Sequence, residues 1–275
     1  MKRLAALAIL ALSACAPAPR GGAGEAGLPR IVSLNPCTDA ILAEVAEPQQ
    51  IVALSSYSHD PASSSMDLAL ARRWPATSGA VEELVALRPD VVVSGNFTPP
   101  ATRAAMARLG LTLKEVPIAT TADESVAQVR QLAALAGQPE RGEALVRRIE
   151  AALAAARPAD GRAIAAVVWQ SGGIVPGEGT LITDLLHRTG FASQSAARGL
   201  KQADLLPLER MLADPPRVIF ATSRDHSGED RMLAHPALKA LAGTRREVLD
   251  PALLWCGGPT IPRAVARLAE VRRSL

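Results

Sequence analysis

Two cysteines stand in Gly/Pro-bounded loops at opposite ends of the chain: Cys37 in "SLNPCTDAIL" (33–42) and Cys256 in "LWCGGPTIPR" (254–263). Thiols so placed can form a disulfide, ligate a soft metal, grip a ligand or attack an electrophile. In "NPC", Asn35 suits a helix N-cap and Pro36 the first helical position, which puts Cys37 where the helix dipole lowers a thiol's pKa. "SSYSHDP" (55–61) adds Tyr57, the chain's one tyrosine, and His59, a third donor for a Cys37/His59/Cys256 metal set. No tight ligand spacing accompanies that set. A Cys37–His59 nucleophile and base would need a third group to orient them, for which Asp60 is near. No nucleophile elbow, phosphate loop or dinucleotide fingerprint is present, and "SGGIVPGEG" (171–179) lacks the phosphate-loop lysine. A binding protein is expected, not an enzyme, with no cofactor.

The N-terminus sets the compartment. Lys2 and Arg3 precede an apolar run from Leu4 to Leu12 and the small residues before Cys15. This is a signal peptide over residues 1–14, and the run is far shorter than the roughly 20 residues a spanning helix needs. "LSAC" resembles the bacterial lipobox, which implies lipid on Cys15. Residues 15–29, rich in Pro, Gly and Ala, read as a flexible tether. Losing Lys2 and Arg3 lowers the formal charge from +3 to +1, and the remaining arginines are scattered. With three Trp, one Tyr and three Phe there is no stacking platform, so nucleic acid is not expected as a partner.

The elements that must position these residues alternate. "RIVSL" (30–34), "QIVALSS" (50–56), "DVVVSG" (90–95) and "LKEVPI" (113–118) are continuous apolar strands between helical stretches, the mark of a parallel sheet covered on both faces. Residues 123–157 carry only helical periodicity. Strands resume with "AIAAVVWQ" (163–170), "RVIFATS" (217–223) and "REVLD" (246–250). The expectation is an α/β protein of two lobes with central parallel-type sheets flanked by helices, 30–122 and 158–275, joined by one long rigid helix in 123–157. Ligands of open α/β sheets lie beyond the strands' carboxyl ends, which here is the cleft between the lobes. Candidates at strand ends are Asn96 and Phe97 after "DVVVSG", Trp169 and Gln170 after "AIAAVV", and Trp255.

Four segments in order, "RIVSLNPCTDAIL", "EELVALRPDVVVSG", "GTLITDLL" and "DPALLW…PR", resemble landmarks of the helical-backbone periplasmic substrate-binding proteins. That family feeds ABC importers of cobalamin, ferric siderophores and haem. The resemblance implies a monomeric, lipid-anchored periplasmic protein that captures a metal chelate and hands it to a permease with its ATPase. Glu82 and Glu209 match the family's glutamates, one per lobe, that dock on permease arginines. "SSYSHDP" is similar to the loop that brings a tyrosine onto a corrin, which makes Tyr57 and His59 ligand candidates and a corrinoid the first cargo, a ferric siderophore the second. Residues 75–80, "PATSGA", supply neither the tryptophan of a cobalamin binder nor the tyrosine of a haem binder. In the family geometry Cys37 and Cys256 approach one another across the cleft, and three readings stay open: a disulfide, ligand or soft-metal contact, and free thiols. The alternative function is an envelope metal-handling protein that binds a soft metal through Cys37, His59 and Cys256.

Overall fold

The computed structural model describes residues 27–222 and 235–275, so the leader, most of the tether and Cys15 lie outside the described residues. The N-terminal lobe is a five-stranded sheet of β1 (Ile31–Ser33), β2 (Ile51–Ser55), β3 (Ala76–Thr77), β4 (Val91–Gly95) and β5 (Leu113–Val116). All its pairings are parallel, in the order β3-β2-β1-β4-β5. Its crossovers contain α1 (Pro36–Val45), α2 (Leu68–Ala71), α3 (Val81–Leu87) and α4 (Pro100–Arg108).

The connector is two helices, α5 (Ala122–Leu135) and α6 (Pro139–Ala156), where the periodicity suggested one. Gly137 breaks the run with a left-handed φ of 69°, a conformation costly for any residue with a Cβ, and Pro139 then opens the next helix. The two helices pack on one another and α1 packs against both.

The C-terminal lobe contains β6 (Ile164–Trp169), β7 (Ile174–Val175), β8 (Phe191–Ser193), β9 (Asp204–Leu205), β10 (Val218–Ala221) and β11 (Arg245–Val248). Four of them form a parallel sheet in the order β11-β10-β6-β8, while β7 and β9 make a small antiparallel ribbon. Its helices are α7 (Leu181–Arg188), α8 (Gln194–Ala197), α9 (Leu208–Ala213), α10 (Pro236–Lys239) and α11 (Thr260–Arg273).

Burial follows the pleat of each strand. On β6, Ile164, Ala166 and Val168 face the main core, while Val167 and Trp169 face the outer layer with Met211 and Ile219. The main core is continuous from Ile31, Leu42 and Leu54 through Val129 and Ile149 to Val168, Phe220 and Leu268. Apolar burial therefore runs through the connector from lobe to lobe, which favours a fixed relation between them. Phe191 and Phe220 meet edge to face at 5.2 Å inside it.

Candidate functional site

In each sheet the strand order reverses once, and a crevice opens beyond the carboxyl ends of the two strands that flank the reversal. In the N-terminal lobe these are β1 and β4. A hollow of about 430 Å³ lies there, lined by Asn35 after β1, by Ser94 and Phe97 at and after β4, and by Gly79 and Tyr57 from neighbouring turns. In the C-terminal lobe the flanking strands are β6 and β10. A smaller hollow of about 60 Å³ lies between Gln170, Gln202, Leu181 and Trp255 of that lobe and Ile118 and Ala119 of the other. A larger hollow of about 590 Å³ sits among Arg157, Arg162 and Arg188 at the opposite end of the C-terminal sheet, outside the cleft.

Each functional side chain has a local cause for its position. Asn35 caps α1 by accepting a bond from the Cys37 amide at 2.8 Å, as its place before Pro36 predicts. Tyr57 rides a short 3-10 turn, Ser56–His59, capped by Ser55, and its ring is 60% exposed toward the hollow. That turn is pinned from below by Asp39, a fully buried residue of α1. Asp39 Oδ2 accepts from the Ser55 amide at 3.0 Å and the Ser58 hydroxyl at 2.6 Å, and Oδ1 has no partner among the described residues. Burial pushes the Asp39 carboxyl up to about 8, against the opposing pull of its hydrogen bonds. Phe97 stands 76% exposed and Asn96 is exposed beside it, both on the turn that leaves β4.

Cys37 and Cys256 are joined as a disulfide, with their Cα atoms 4.9 Å apart. The bond ties α1 of the first lobe to the loop before α11 of the second. "CGGP" makes this approach possible. A Cβ on Gly257 would lie 2.0 Å from Ser125 Oγ, and one on Gly258 would lie 2.6 Å from Ile41 Cγ1, at a φ of 59°. The Gly258 amide also donates to Ser125 Oγ at 2.7 Å. Trp255, the residue before Cys256, is left 54% exposed on the rim.

Several sequence expectations are corrected. Trp169 is completely buried in the outer core layer and cannot cover a ligand, because the face of β6 that carries it is roofed by α9 and α10. His59 turns its Nε2 to the Ala71 carbonyl at 3.1 Å, and it does not line the hollow beside Tyr57. With both sulfurs bonded to each other, Cys37 and Cys256 offer no thiolate, so the soft-metal set loses two of its three donors. Among the described residues no cluster of three His, Cys, Asp or Glu side chains gathers elsewhere. Asp39 escaped sequence reading altogether. Its only signal is a carboxylate on the apolar face of a helix, between Thr38 and Ala40, where burial is implied.

The glutamate pair of "VEEL" divides its labour. Glu83 turns back to accept from Thr77 Oγ1 at 2.6 Å and from the Ser78 amide and hydroxyl at 2.9 Å each, and these bonds hold it below the usual carboxylate range. Glu82 is exposed and makes no side-chain bond among the described residues. Glu209 is likewise exposed and unbonded, and each occupies the second position of its helix, α3 or α9.

Two α/β lobes, carboxyl edges facing across a cleft and braced by packed helices, define a solute-binding protein of the helical-backbone type. The sequence profile of the periplasmic binding protein family matches residues 31–252, and the chain belongs to that family. No curated protein sequence matches it. Among solved structures it is similar to the periplasmic heme-binding protein HutB of Vibrio cholerae, at 18% identity and a TM-score of 0.71, covering 88% of this chain and 98% of that one. It is also similar to the vitamin B12-binding protein BtuF of Vibrio cholerae, at 19% identity and a TM-score of 0.66, covering 90% and 99%. A third is Helicobacter pylori CeuE with Ni(II) bound, at 16% and 0.67, covering 90% and 86%. At these identities the likeness is one of fold. Among the described residues no helix is long and apolar enough to cross a membrane.

Proposed function

We propose that this chain is the lipid-tethered capturing component of an ABC importer, anchored in the periplasm through Cys15, and that its cargo is a corrinoid. The observation that carries the choice of cargo is the character of the cleft. Among the described residues lining the two hollows no side chain is charged, while Tyr57, Phe97 and Trp255 present exposed rings beside the amides of Asn35, Gln170 and Gln202. Such a surface covers a bulky, flat, amide-fringed ligand by apolar and aromatic contact, with a few polar groups fixing orientation.

The competing cargoes ask for more. An anionic ferric siderophore needs cations, because burying its charge unpaired is costly, and none lines these hollows among the described residues. Haem needs cationic partners for two propionates and an accessible axial donor; among the described residues lining the hollow no side chain is cationic, Tyr57 is the exposed donor and the Met106 thioether is fully buried. Glu82 and Glu209, exposed at matching helix positions on the two lobes, are the proposed pair that meets arginines of a dimeric permease. Mass spectrometry of the protein purified from its native envelope tests the reading. A co-purifying corrinoid supports it, and a ferric chelate or haem in its place overturns it.

A further inference from the structure

Two residues of α1 bond to the segments that carry the aromatic side chains flanking the cleft. Asp39, with zero exposure, holds both ends of the turn that carries Tyr57, through the Ser55 amide and the Ser58 hydroxyl. Cys37, half a turn earlier on the same helix, is bonded to Cys256, whose chain neighbour is Trp255. The helix itself is fixed at its start by the Asn35 cap and buried along Ile41, Leu42 and Val45. One rigid element thus touches the supports of an exposed ring on each lobe.

We propose that Asp39 and the Cys37–Cys256 disulfide are positioning residues that preset Tyr57 and Trp255 from α1, so that cargo meets a formed aromatic frame. Asp39 is sealed beneath the turn and Cys256 is 2% exposed, so each acts through the segment it holds. Presetting two rings removes the ordering cost that each would otherwise levy on binding. A buried carboxyl group is an expensive way to hold a turn. It is also a specific one, because a single carboxyl oxygen takes both the amide and the hydroxyl. The inference rests on Tyr57 and Trp255 facing cargo, as the proposed function has it.

The sequence supplies its own probes. Tyr57 is the one tyrosine, so fluorotyrosine labelling gives one ¹⁹F resonance. Of the three tryptophans, Trp74 is 7% and Trp169 0% exposed, so acrylamide quenching reports on Trp255. In the ligand-free full chain, Asp39→Ala should shift and sharpen the Tyr57 resonance toward that of free tyrosine, while Asp39→Asn, whose amide oxygen can take both bonds, restores the native line. The Cys37→Ser/Cys256→Ser pair should raise quenching of Trp255. Ser58→Ala, which removes one bond only, gives an intermediate Tyr57 shift and serves should Asp39→Ala fail to fold. An unchanged Tyr57 line in folded Asp39→Ala or in Ser58→Ala, or unchanged Trp255 quenching in the serine pair, overturns the proposal. In titrations with cobinamide, Asp39→Ala and the serine pair should each weaken binding on the order of tenfold. If the native protein takes no corrinoid, the cargo reading falls alone, since the ligand-free readouts still judge the positioning.

Discussion

At the residue scale, burial separates tryptophans that sequence alone treats alike. Trp169 and Trp255 both follow apolar strands or loops near a sheet edge, yet one is sealed in the core and the other half open. Trp169→Ala should therefore cost about 3–5 kcal/mol in urea unfolding, whereas Trp255→Ala should leave the midpoint near native and weaken cargo binding in calorimetry. Asp39 gives a pH signature. Its folded pKa of about 8 lies above the ordinary 3.8. Between those values the folded state holds a proton that the unfolded state has lost, so this group's contribution is full below the unfolded pKa and declines as pH rises to about 8. Unfolding curves between pH 5 and 8 should show stability falling with pH in the native protein, and Asp39→Asn should flatten that slope. An equal slope in both contradicts the burial argument.

At the element scale, the repeating pattern was readable and the short or two-faced pieces were not. Most of the parallel strands announced themselves as apolar runs, β5 ("LKEV") and β11 ("RREV") being mixed, and each of the seven expected ones is present within a residue or two. The two-residue strands β3, β7 and β9 are too short to show any period, and β8 contributes only "FAS". The break between α5 and α6 was written in "AGQP" but masked by helical periodicity on both sides. Trp169 misled for a physical reason: a parallel strand is covered on both faces, so its last side chain is buried whichever way it points. Phe97 and Trp255 came from the strand-end rule and Tyr57 from the family resemblance of "SSYSHDP", whereas Asp39 showed only as a carboxyl group on an apolar helix face. The "CGGP" loop belongs to this scale as well. Gly258→Ala drives a Cβ into Ile41 at positive φ, and should cost about 1–3 kcal/mol in thermal or urea unfolding. A neutral result would show that the loop and α1 can yield.

At the scale of the whole molecule, the lobes are tied together twice, by a core that runs through α5 and α6 and by one covalent bond across 219 residues of sequence. Closing so long a loop restrains the unfolded chain, so the Cys37→Ser/Cys256→Ser pair should lose about 2–5 kcal/mol in denaturant titration. Both ties point to lobes that close little on one another, which suits the proposed hand-over of cargo to a permease. Glu82→Lys or Glu209→Lys should then abolish or strongly slow uptake by cells while cargo affinity in solution stays native, since each glutamate is exposed at the second position of its helix and neither lines the cleft hollows. The proposed selection of a corrinoid rests on two cleft hollows that, among the described residues, are lined by no charged side chain and rimmed by aromatic rings. Calorimetric titration of the mature protein with cobinamide, cobalamin, haem and a ferric siderophore tests it most directly. Saturable binding of a corrinoid, with haem and the ferric chelate weak or silent, is the predicted result; tight binding of haem or the ferric chelate with no response to either corrinoid contradicts it.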